Sequence, residues 1–310
     1  MTVPKKILLI LLILFMLISM YVLVKYNYRL TNVLAHADTS TQVNTVCKKH
    51  SGRVWFVSYA DGGVYIANQR ALTHSALNKC VDFFMHFGPH SIDEEYFKKH
   101  QSILTQPRGA GYWLWKPYVV LKMLEQVPEN DFVLYVDVGS LLIKPVDSLI
   151  ERLGDADILI FKNVHKNKGH VKRDLLKLMD LDHEEVLNAL QLQAGYIFAR
   201  NTGGARKFIK KWLKLCEIER AITDSPSVDE YPSFIDHRHD QAILSLLVLK
   251  YPEKVALMEF GETFEYFIQH RRGSVNRGSL LWKPFNNKIN YEMTRLEKYL
   301  NKWMQWLNRF

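Results

Sequence analysis

Three cysteines in 310 residues, Cys47, Cys80 and Cys216, are too few for a disulfide framework, so the fold must rest on a hydrophobic core. One bridge at most can form. In an oxidising compartment the expected pair is Cys47 with Cys80, although spacing alone does not fix it. No Asn-x-Ser/Thr acceptor occurs, so glycosylation says nothing about compartment. There is no internal repeat, which excludes a repeat array. No nucleic-acid-binding module signature is present either. His237-Arg-His-Asp240 has the His-x-His-Asp form of a zinc ligand set, but no second cluster at ligand spacing accompanies it, which argues against a metallohydrolase.

What is present begins with one long apolar run. Ile7 to Val24 is eighteen residues interrupted only by Ser19 and Tyr21, close to the roughly 20 needed to span a bilayer. A cleaved signal peptide is the rival reading, since Ala35-His-Ala37 has the small-x-small form of a cleavage site. The run is too long for that, and the site lies too far beyond it. Lys5 and Lys6 precede the run and Lys25 and Arg29 follow it, so flanking charge is nearly balanced. The short tail, residues 1–6, favours a cytoplasmic N-terminus and a type II anchor over residues 7–24. A polar stem over 25–52 follows. A net charge of +9 suits an anionic ligand or a membrane surface.

From residue 53 the pattern alternates between β-rich and helical segments. Arg53–Ala60, Val81–Phe87, Phe132–Val136, Ile158–Phe161 and Gln191–Ala199 read as strands. Ile66–Cys80, Asp93–Gln101, Pro117–Gln126, Arg206–Arg220 and Asp240–Lys250 read as helices. This predicts one α/β domain over 53–285 with a mainly parallel sheet flanked by helices. Residues 286–310 form an amphipathic helix by spacing, read either as docked on the domain or as lying on anionic lipid. Between Lys162 and Lys177 six Lys/Arg stand against one Asp, a pattern of a solvated loop or of a site for a phosphate-bearing acceptor or membrane face.

Four blocks carry the chemistry. Arg108-Gly-Ala-Gly-Tyr-Trp-Leu-Trp-Lys-Pro117 turns at its glycines and leads into a helix. Tyr135-Val-Asp-Val-Gly139 ends an apolar strand in an acid, where open α/β sheets place ligands. Gln193-Ala-Gly195 allows a close backbone approach or a β-bulge. His237-Arg-His-Asp-Gln241 opens an apolar helix, with Asp240 read either as its N-cap or as a site carboxylate.

In this order and spacing the blocks resemble the GT-A-like glycosyltransferases, relatives of the nucleotide-diphospho-sugar transferases, across roughly residues 53–275. The resemblance implies a GT-A-like (Rossmann-like) fold and transfer of a sugar from a UDP- or GDP-sugar to a hydroxyl on a glycan or glycoconjugate. It also implies Mn²⁺ or Mg²⁺ held by an Asp-x-Asp pair. Here the second acid is replaced by Gly139. Asp137 is then expected to bind metal or diphosphate, with His270 as a second metal ligand. Alternatively Arg108, Lys116, Arg271 or Arg272 neutralises the diphosphate without metal. Asp240 is expected at the active site as general base or sugar-hydroxyl ligand. Tyr59 and Asp61 lie where such folds meet the nucleotide base, and Asp61 is read as a uracil or ribose ligand or as the start of the Gly62-Gly63 turn. Tyr112, Trp113 and Trp115 are read either as core aromatics covering the sheet or as supplying one ring, Trp115 being the candidate, to stack on a sugar or base; Gln193 and Gly195 border the donor sugar. The competing class is an inactive GT-A-like carbohydrate-binding or scaffolding module, favoured by the lost acid. Localisation follows the host: Golgi membrane in a eukaryote, plasma membrane in a prokaryote.

Overall fold

The computed structural model describes residues 14–20, 47, 48 and 50–269. The greater part of the expected anchor, most of the stem, His270, Arg271, Arg272 and the C-terminal helix over 286–310 lie outside the described residues. The chain divides into two compact units, residues 34–268 and the two terminal stretches 1–33 and 269–310. In the terminal unit residues 14–20 are helical. Among the described residues no helix is long and apolar enough to cross a membrane.

In the larger unit six strands form one sheet: β1 (Val54–Tyr59), β2 (Phe83–Phe87), β3 (Phe132–Val136), β5 (Ile158–Lys166), β6 (Leu190–Arg200) and β7 (Val255–Met258). Their order is β2-β1-β3-β6-β5-β7, while β4 (Ser140–Leu142) and β8 (Phe267–Gln269) form a separate two-stranded sheet. β1 is parallel to β2 and β3, and β5 is parallel to β7. β6 alone runs antiparallel to both its neighbours. The expectation of a mainly parallel α/β sheet therefore holds, with one reversed strand in its centre.

Alternation along β3 shows why the sheet is buried on both sides. Phe132, Leu134 and Val136 enter one core with Phe56, Leu72, Leu149 and Phe198. Val133 and Tyr135 enter the other with Val119, Leu124, Ile197 and Trp212, as the period of two requires. Helices α1 (Gly63–Ala76) and α3 (Asp147–Leu153) contribute to the first core. Helices α2 (Trp115–Gln126), α4 (Gly203–Cys216) and α5 (His239–Lys250) cover the second. Cys47 and Cys80 are bonded to each other, and Cys216 is a buried free thiol.

Candidate active site

Because β6 is reversed, its first half lies at the same edge of the sheet as the carboxyl ends of β1 and β3. The starts of α2 and α5 converge there too. Four sequence-distant blocks thus meet at one place.

Asp137 follows β3 directly, and its backbone N–H donates to Gly195 O on β6 at 2.9 Å. Tyr135, two residues earlier on the same face, donates its hydroxyl to Asp137 Oδ1 at 2.7 Å. The Asp137 side chain remains 32% exposed. Its other oxygen, Oδ2, would lie 3.0 Å from a Cβ at residue 195, so the glycine leaves room for the carboxylate. β6 is also bulged there: Phe161 pairs with Gln193 while Ile160 pairs with Ile197. Both readings of Gly195, close approach and bulge, describe the same residue.

Lys116, in the first turn of α2, is 3% exposed, with Nζ 3.3 Å from Asp137 Oδ1 and 3.0 Å from Asp240 Oδ2. The expectation that Lys116 faces a phosphate is therefore not what the geometry provides; its ammonium is enclosed between two carboxylates. Burial pulls the lysine down, yet the charges of Asp137 and Asp240 outweigh it and the net shift is upward. One ammonium cannot neutralise two carboxylates, and the deeper acid bears the deficit. Burial pushes Asp240 up to about 6 despite its ion pair with Lys116, and Asp137 adds to the rise. Asp240 does not cap its helix: α5 starts at His239, and Asp240 lies inside the first turn.

The segment before α2 adopts a left-handed turn, with φ of +60°, +49°, +96°, +52° and +60° at Gly109, Ala110, Gly111, Tyr112 and Trp113. For the non-glycine residues this costs roughly 1–2 kcal/mol each. Gly111 is required on two counts: its φ, and a Cβ that would lie 2.7 Å from Leu104 Cα. The turn sets Tyr112 and Trp113 against the His239 ring, each with centroids 5.2 Å apart. His239 Nε2 lies 3.0 Å from Asp224 Oδ1, and Arg108 Nη1 lies 3.2 Å from Asp224 Oδ2. Arg108 thereby braces the segment holding Asp240.

The remaining candidates fall into place less simply. Tyr59 and Trp115 are buried and stack on each other with centroids 3.9 Å apart, so each occupies a face of the other's ring within the core. Burial, with the nearby Asp61 charge, holds the Tyr59 hydroxyl well above the usual phenol range. Gln193 donates to Lys162 O at 2.9 Å and Thr263 Oγ1 at 2.7 Å, fastening strand to neighbour. Asp61 is exposed just past β1. His237 and His239 do not make a zinc pair: His237 Nε2 is 2.9 Å from Ala221 O, and burial lowers His237 strongly and His239 to about 4. Tyr135 stood in its sequence block without a role of its own, and Asp224 was not singled out. Strand alternation pointed to Tyr135, two residues from Asp137; nothing local marked Asp224.

A divalent ion is poorly served by the described residues. Asp137 Oδ1 already takes a hydroxyl and an ammonium, and the nearby Asp240 carboxylate is held by the same ammonium. Among the described residues one group of three potential ligands is close enough, Cys47, Cys80 and Asp147, and the two sulfurs are spent in the disulfide.

No family model and no curated protein matches the chain. Solved structures do. Mouse xyloside xylosyltransferase 1 is 13% identical, with a TM-score of 0.42 over 76% of this chain and 81% of that one. A glycosyltransferase involved in glycosylation of the major capsid of PBCV-1 is 12% identical, with a TM-score of 0.40 over 71% and 94%. The galactosyltransferase LgtC, in complex with donor and acceptor sugar analogues, is 16% identical, with a TM-score of 0.36 over 66% and 72%.

Proposed function

We propose that this chain is a membrane-anchored glycosyltransferase of the GT-A-like kind, moving a sugar from a nucleotide-diphosphate donor, UDP- or GDP-linked, to a hydroxyl of a glycan or glycoconjugate. The observation that carries this reading is the convergence of Asp137, Gly195, Lys116 and Asp240 at the edge of the sheet where its parallel strands end. In the reaction the bond from the anomeric carbon to the diphosphate breaks, a bond to the acceptor oxygen forms, and the acceptor proton passes to a base. Asp137, the more open acid, takes the donor side. Asp240 takes the acceptor side as base or hydroxyl ligand, and a carboxyl raised to about 6 suits proton transfer near neutrality. Lys116 acts behind both as a positioning residue. Arg108, Asp61 and the arginines at 271 and 272 supply donor contacts. A divalent ion, if used, would bind through Asp137 Oδ2 and His270 and would offset charge on the diphosphate.

The Cys47–Cys80 bond favours a domain facing an oxidising lumen or the outside, which suits a type II anchor over residues 7–24. On this reading the protein would belong to the Golgi membrane of a eukaryote or the plasma membrane of a prokaryote. The second reading, a carbohydrate-binding module without turnover, is favoured by one observation: both acids are already paired with Lys116.

Calorimetry on the full chain in detergent, with UDP- and GDP-sugars with and without Mn²⁺, tests the proposal on wild type and Asp137→Ala. Metal-dependent binding lost in the variant supports it. Binding without turnover selects the module, and no binding to any donor removes the transferase reading.

A further inference from the structure

A second surface lies along α4, whose inward side packs on the segment of Asp240 through Trp212 Nε1, which donates to Asp240 O at 2.9 Å. The inward side of this helix, Ala205, Phe208, Ile209, Trp212, Leu213 and Cys216, is buried. The helix carries Arg206, Lys207, Lys210, Lys211 and Lys214 and no acid. The lysines follow the spacing i, i+3, i+4 and i+7 and so share one face. Together with Lys250 they border a groove of about 490 Å³ whose other walls are Leu178, Met179, Leu215, Leu247 and Tyr251.

The groove combines cations with apolar walls. Lys211 Nζ lies 3.4 Å from the centroid of the Tyr251 ring, and Lys214 pairs with Glu217 at 2.8 Å. Lys207 and Lys210 are exposed, and neither is ion-paired among the described residues. Leu178 at the rim is 50% exposed. Lys250 donates to Met179 O, so with Lys214 on Glu217 it is Lys207, Lys210 and Lys211 that repel one another unless an anionic partner covers them.

The occupant can be narrowed by charge. Residues 270–310 hold nine Lys/Arg against two Glu, and residues 1–46 hold four against one Asp, so neither stretch of the chain complements the groove. A second copy brings the same net sign, +9. A soluble polyanion would satisfy the lysines but leave exposed Leu178 and half-buried Leu215 and Tyr251 unused, Met179 and Leu247 being buried already. A bilayer with acidic headgroups satisfies both, since such an interface pairs anionic charge with an apolar boundary.

We infer that this lysine-rich groove docks on an anionic lipid surface, holding the domain against the membrane. The inference does not rest on the transferase reading; the proposed anchor contributes only proximity to a bilayer.

The test uses the full chain with Leu178→Cys, labelled with an environment-sensitive fluorophore and reconstituted into phosphatidylcholine vesicles with or without about 30% phosphatidylserine. Docking is expected to give a blue shift on acidic vesicles alone, reversed at high salt because screening shortens the reach of the lysines. The combined Lys207→Gln, Lys210→Gln, Lys211→Gln and Lys214→Gln variant should lose that shift while keeping its near-UV circular dichroism. Equal emission on both lipid compositions overturns the inference, as does a shift on acidic vesicles indifferent to salt. The salt arm needs only the labelled protein with its lysines intact, so it decides even if the quadruple variant misfolds. A shift induced by heparin on neutral vesicles overturns the lipid assignment in favour of a soluble polyanion. Donor binding, measured on the same samples, reports separately on the transferase site.

Discussion

Lys116, Asp137 and Asp240 form an arrangement of one buried cation and two acids with a testable electrostatic consequence. The carboxyl of Asp240 titrates near 6 in the folded chain against an ordinary 3.8. A raised carboxyl gives stability that is fully present below its unfolded value and is lost as pH rises through the folded one. Between about pH 4 and 6 the wild type should therefore lose stability relative to Asp240→Asn. Urea midpoints across that window check this, and parallel curves for the two proteins would refute it. If Asp240 is the acceptor-side base, kcat/KM should rise over the same window with a midpoint close to 6. Lys116→Met should cost about 3–5 kcal/mol, because it leaves two carboxylates without their cation. Adding Asp240→Asn to that variant should recover part of the loss; no recovery would mean that Lys116 acts through packing alone. Legibility differed among these residues. Asp137 at a strand end and Asp240 at a helix start were visible from local pattern. The role of Lys116 was not, because a lysine at a helix start gives no local sign of whether it points to solvent or into the core.

At the scale of elements, the close fit of β6 to β3 and the left-handed turn before α2 shape the site. Gly195→Ala puts a Cβ 3.0 Å from Asp137 Oδ2, a distance at which the carboxylate must shift by a few tenths of an ångström. The expected result is donor binding weakened by about tenfold, equivalent to roughly 1.4 kcal/mol, with a near-native melting temperature. Unchanged affinity would show that the carboxylate relaxes freely. Gly111→Ala is different in kind. It meets Leu104 Cα at 2.7 Å and imposes a φ of +96° on an L-residue, so it should lower thermal stability outright. Glycines at 109 and 111 announced a turn in the sequence. Five successive left-handed residues were not readable there, since Tyr112 and Trp113 hold that conformation through packing on His239.

For the whole molecule, the bridge between Cys47 and Cys80 closes a loop with a sequence separation of 33 and ties the entry segment to the domain. Beside it Lys48 N donates to Asp147 Oδ2 at 2.8 Å, at the start of α3. The Cys47→Ser/Cys80→Ser variant should lose about 3–4 kcal/mol on chain-entropy grounds. A calorimetric melting temperature equal to that of wild type would show that the entry segment contributes nothing to the fold. Sequence by itself determined the alternation of strands and helices, the strand-end Asp137, the helix beginning near Asp240 and the glycines that permit close approach. Those signals are local, set by side-chain period and backbone freedom. Tertiary structure decided the reversal of β6, the enclosure of Lys116 between two acids, the mutual stacking of Tyr59 and Trp115, and the link from Arg108 through Asp224 to His239. Strand direction and charge pairing depend on which distant segments pack together, and that choice is made by the core as a whole.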